Sequence, residues 1–185
     1  MTVPLSQLFR RLYRAAWLFL LALLFGPAAV AETSLPEDEV KAAVVANLPL
    51  FVRWPAGAAN AAHPQVCVLA PGAMEAALLR QYREGGNGNA LDFKPVTAVP
   101  EQLRECAMVF VGAGDPATLF RAAAAVAGRP VLLVAEGHGV LQRGAMIGLA
   151  VQEGRVVIDV NLGALRRAQL DASAKLLRLA RTVVE

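Results

Sequence analysis

The chain is poor in the residue types that carry most enzyme chemistry. Its 185 residues include two histidines, two cysteines and two tyrosines. The serines are Ser6, Ser34 and Ser173, and the lysines are Lys41, Lys94 and Lys175. No serine stands in the G-x-S-x-G setting that exposes a nucleophile. A zinc site takes about four ligands, and only His63 and His138 are available to join the cysteines. The pair lacks a carboxylate cluster to complete it, so the expectation is no metal, no cofactor and no catalytic residue. Aromatic residues make up 6% of the chain, so the core must be aliphatic and closely packed. Long apolar runs are scarce too. The one at Ala15–Phe25 falls well short of the roughly 20 residues needed to cross a bilayer as a helix.

That run has a distinct setting. Arg10, Arg11 and Arg14 precede it, with no acidic residue before Glu32. Gly26-Pro27 breaks it, and Ala29-Val30-Ala31 places small residues where a signal peptidase reads. Basic start, apolar centre and A-x-A end predict a secretory signal over residues 1–31, cleaved after Ala31, and a domain over 32–185. The formal net charge of +3 then leaves with the three arginines. A neutral remainder gives no electrostatic reason to expect nucleic acid or an anionic membrane as partner. The expected location is the periplasm, and with no lipobox cysteine after the signal, lipid anchoring is not expected.

In an oxidising compartment Cys67 and Cys106 read as one disulfide. A redox pair favours C-x-x-C, and these two are far apart in sequence.

Apolar periodicity predicts a helix from Glu37 towards Trp54, kinked or ended near Leu48 by Pro49. Strands are expected at Gln65–Ala70, Phe93–Val99, Ala107–Val111 and Pro130–Ala135, with Pro95 confining the second to a sheet edge. Helices are expected at Ala73–Arg83 and from Asp115-Pro116 to Val126, the latter with matching cap and first-turn signals. Glu84–Asn89 is a loop by composition. Glu153-Gly154 marks a hairpin between Ala145–Val151 and Arg155–Val160. Asn161–Ala168 begins a helical stretch. A last helix is expected over Asp171–Val184, capped by Asp171, with Lys175, Arg178 and Arg181 along one stripe. The alternation predicts a single α/β layered domain: a largely parallel sheet with an antiparallel C-terminal hairpin, flanked by helices.

Ligand candidates are Gly112 and Gly114, at a strand end before a helix, where backbone N–H groups can hold an anion. His138, two residues after Glu136, is a further one. Asp115 opposes a phosphate there and suits a helix cap better. Lys175 and Arg178 are candidates for partner contact, and a solvated stripe is the commoner outcome for such residues.

Several segments together resemble the YfiR family of small exported bacterial proteins. They are Val40-Lys41-Ala42-Ala43 with Asn47, Phe51 and Trp54-Pro55; Val66-Cys67-Val68-Leu69 with Cys106 and Val109-Phe110-Val111; and Gly128-Arg129-Pro130-Val131-Leu132. The most specific piece runs Gly144-Ala145-Met146-Ile147-Gly148-Leu149, Gly154-Arg155-Val156, Asn161-Leu162, Arg166-Arg167 and Ser173 to Leu177. The resemblance implies an α/β fold, a homodimer and a Cys67–Cys106 bond. It implies a non-enzymatic repressor that holds the periplasmic sensory domain of an inner-membrane diguanylate cyclase, keeping cyclic-di-GMP low. A different reading is a small-molecule sensor or adaptor for another membrane receptor, such as a histidine kinase.

Overall fold

The computed structural model describes residues 36–58, 65–69, 72–83, 92–97 and 99–185. The expected signal segment, Ser34, His63 and the Glu84–Asn89 loop lie outside them.

Helix α1 (Glu37–Asn47) opens with three acidic residues, which suit the positive end of its dipole. It tightens into a 3-10 turn at Leu48–Phe51, with Pro49 at the start of that turn. Proline lacks the N–H that an α-helix interior needs, so the helix ends where the sequence places Pro49. Strand β1 (Val52–Arg53) follows.

The main sheet is built from β2 (Gln65–Leu69), β3 (Asp92–Pro95), β4 (Met108–Val111), β5 (Leu132–Glu136), β6 (Ile147–Gln152), β7 (Arg155–Asn161) and β9 (Thr182–Val184). The order across it is β3-β2-β4-β5-β6-β7-β9. All neighbours are parallel except β6 and β7, which form an antiparallel hairpin. Every residue of β4 is buried, as its apolar run requires of a strand covered on both faces. Pro95 lies on the edge strand β3, where its missing N–H costs no ladder bond.

Helix α2 (Ala73–Arg83) leads from β2 to β3, and α4 (Pro116–Val126) leads from β4 to β5. The two crossovers run in opposite directions across the sheet. Right-handed connections therefore put their helices on opposite faces. Helix α1 packs with α2, and the short α3 (Pro100–Arg104) packs with α4. The core fills both interfaces, with Phe110, Leu132, Leu133, Ile147 and Leu149 fully buried. Strands β3-β2-β4-β5-β6 follow the doubly wound order of flavodoxin-type sheets, whose direction reverses between β2 and β4.

Glu153 and Gly154 both have positive φ, 52° and 72°, as a type I′ hairpin demands. Asn161 caps α5 (Leu162–Arg167) by accepting from the Ala164 N–H at 2.8 Å.

The C-terminal segment departs from the sequence reading. It is not one helix over Asp171–Val184. Asp171–Ala172 is a strand, β8, paired antiparallel with β1. Helix α6 spans Ala174–Leu179 and is capped by Ser173, whose hydroxyl accepts from the Leu176 N–H at 3.2 Å. Ala180 is extended, and Thr182–Val184 forms β9 alongside β7. Two β-branched valines and a threonine favour a strand, and the outer edge of β7 offers the ladder that the helix expectation ignored.

Candidate functional site

In doubly wound sheets ligands bind beyond the carboxyl ends of the strands, near the reversal of strand order. That end carries a cluster of charge. Glu37 and Asp38 precede Lys41 by four and three residues, so the three share one face of α1. The Lys41 ammonium lies 3.1 Å from Glu37, 2.9 Å from Asp38 and 2.5 Å from Glu136, the last residue of β5. The second oxygen of Glu136 accepts from the Ala113 N–H at 3.2 Å. One lysine and one glutamate thus tie α1 and β5 to the loop after β4.

Lys41 is only 4% exposed. Burial disfavours its charge, but hydrogen bonds to Glu136, Asp38 and Glu37 outweigh burial and raise its pKa above the usual lysine value. A lysine held charged offers no free amine for Schiff-base or general-base chemistry at neutral pH. The cluster is therefore a structural tie. Its sequence signal was the i, i+3, i+4 spacing of Asp38, Glu37 and Lys41; nothing local points to Glu136, 95 residues away.

The Gly112–Gly114 loop and the Glu136–Gly139 turn are neighbours, as Ala113 and Glu136 show. The space shared by Gly112, Gly114, Asp115, Glu136 and Arg143 is about 20 Å³. That volume suits a water molecule, not a nucleotide. The Asp115 carboxylate accepts from the Ala117 N–H at 3.0 Å, so this helix start already holds an anion of its own. His138 is exposed and does not line the space. Its carbonyl accepts from the Arg143 guanidinium at 2.8 Å, which fixes the turn.

At the opposite end of the sheet, Cys67 on β2 and Cys106 just before β4 form a disulfide, with Cα atoms 5.9 Å apart. Both cysteines are buried. The bond clamps β2 to β4, the neighbouring strands that flank the reversal.

Lys175 and Arg178 are exposed on α6. The Lys175 ammonium stands 5.3 Å from the centre of the Phe51 ring, a cation–π contact that links α6 to the segment after α1. Arg181 leaves the stripe: it follows the helix and pairs with Asp159 on β7, donating also to Gln152 at 2.7 Å. Among the described residues, no three His, Cys, Asp or Glu side chains are grouped closely enough to hold a metal ion. No described helix is long and apolar enough to cross a membrane.

No curated protein matches the chain. Among solved structures it is similar to a conserved domain protein from Vibrio cholerae O1 biovar El Tor strain N16961. The TM-score is 0.57 at 11% identity, over 81% of this chain and 61% of that one. The chain thus spans about three-fifths of that protein's length, and the likeness concerns the fold alone. The family described as YfiR/HmsC-like matches residues 38–181, from the first helix to the turn before the last strand. With β1 to β8, the hairpin included, inside that match, the chain belongs to the YfiR/HmsC-like family.

Proposed function

We propose that this protein is a non-enzymatic periplasmic regulator that restrains an inner-membrane diguanylate cyclase by binding the cyclase's periplasmic sensory domain. The observation that carries this reading is the family match over residues 38–181. In the same reading the chain is exported with cleavage after Ala31, the mature domain is residues 32–185, and it acts as a homodimer. Repression requires that the domain prefer the inactive sensory domain, and its differential affinity bounds the shift it can impose. The Lys41–Glu136 tie and the Cys67–Cys106 bond keep the domain rigid, which lowers the ordering cost of association. Lys175 and Arg178 are offered to the partner from α6.

The test is capture of membrane proteins, solubilised in detergent from the native host, by the tagged, oxidised protein. Recovery of a diguanylate cyclase with a periplasmic domain supports the proposal. Recovery of a histidine kinase or another receptor in its place refutes it and favours a sensor–adaptor role.

A further inference from the structure

A second concave site lies at the other end of the sheet, where β4 and β5 begin. It is a cleft of about 190 Å³ lined by Trp54, Ala58, Arg104, Cys106 and the Arg129–Val131 segment. Three observations meet there. The indole N–H of Trp54 is buried and has no acceptor among the described residues. A buried donor left unpaired is costly, so the described site is short of one acceptor. Arg104 and Arg129 line the same space. Arg104 donates through Nε to the Ala125 carbonyl at 3.3 Å, which anchors it on α4, and its terminal N–H groups have no partner among the described residues. Arg129 makes no ion pair with any described residue. Among the described residues no acidic residue lines the cleft. The other lining residues include Ala58, Pro130, Val131 and the disulfide-bonded Cys106, which are apolar.

We infer that this cleft binds a small organic carboxylate. A planar carboxylate has two oxygens. It can take the fork of an arginine and also accept from an indole N–H, satisfying the orphaned donor and both cations together. The apolar walls suit a compact hydrocarbon or aromatic body, and the volume admits a molecule of about ten heavy atoms at most by the usual scale of ligand sites. The cleft is walled by Cys106, so the ligand rests against the disulfide that clamps β2 to β4.

Trp17 and Trp54 are the chain's two tryptophans. In the mature protein of the proposed reading, residues 32–185, Trp54 is the sole indole, and its emission reports the cleft directly. Benzoate is the probe and benzamide its neutral counterpart. The expected result is a saturable change in Trp54 emission with benzoate and none with benzamide over the same range. Arg129→Gln and Arg104→Gln should each weaken benzoate about tenfold, the loss expected for one charge-assisted hydrogen bond. Arg121→Gln, on the exposed surface of α4 outside the cleft, should leave it unchanged. An equal response to benzamide, or an affinity indifferent to Arg129→Gln, overturns the inference. So does inorganic phosphate that displaces benzoate at lower concentration, because the site would then be an oxyanion cradle of another class. The experiment uses no partner, so its failure leaves the regulatory proposal standing, and the converse also holds.

Discussion

Replacing Lys41 by methionine tests the ionic tie at the carboxyl end of the sheet. Methionine keeps much of the side chain's apolar length and removes the charge. Glu37 and Asp38 are 58% and 35% exposed along their side chains, so water takes over their charge when Lys41 is gone. Glu136 is 14% exposed and keeps only the Ala113 N–H as partner. Breaking a buried pair by deleting one partner costs about 3–5 kcal/mol, and the two solvated acids place this case at the low end, near 3 kcal/mol. For a domain of this size each kcal/mol moves Tm by about 2–4 °C, so the fall should be about 9 °C. Urea denaturation of the oxidised protein at pH 7 measures the free energy directly. Adding Glu136→Gln removes the stranded charge and should return about 1 kcal/mol or more, a non-additivity expected of contacting residues. The pH dependence has a fixed sign. The folded pKa of Lys41 is raised, so its contribution is fully present below the unfolded lysine value of about 10.4 and is lost as pH rises through the higher folded value. The gap between wild type and Lys41→Met should therefore be constant from about pH 7 to 9 and shrink in stronger alkali. A cost below about 1 kcal/mol at pH 7 would refute the reasoning, because the pair would then be solvated and replaceable.

Two further outcomes are expected. The Cys67–Cys106 bond spans 39 residues, and loop entropy gives it about 4 kcal/mol, so the Cys67→Ser/Cys106→Ser double variant should lose roughly that much in urea denaturation; a loss under about 1 kcal/mol would show that the strands hold their places without it. Gly144 has φ +104°, and a Cβ there would stand 2.8 Å from the Ala123 Cβ, so Gly144→Ala should cost about 2 kcal/mol by thermal melting, with no loss contradicting the close approach of this turn to α4.

Much of the fold was legible wherever the signal was local. Asp115 with Pro116 marks the start of α4, Pro49 marks the end of α1, Pro95 marks an edge, and Glu153-Gly154 marks the hairpin. Each is a residue whose own backbone preference decides the outcome. The C-terminus was misread for the opposite reason. Its apolar residues suit either a helix or a strand, and the decision comes from a free edge on β7 that no local window contains. The same limit governs the sites. Gly112 and Gly114 stood out because glycines before a helix are a recognised pattern, and the space beside them is about 20 Å³. Lys41 and Glu136, or Trp54 and Arg129, become a site only once β4 and β5 lie side by side.

The pairing of β1 with β8 joins Val52 to Ala172 and Arg53 to Asp171. Neither this ribbon nor the outer strand β9 can form until almost the entire chain is present. Such distant pairing makes for slow folding, since the closure of a long loop must precede any reward. The architecture defers completion of the sheet to Thr182–Val184, and until that strand docks β7 keeps an open edge, a template for pairing with another chain.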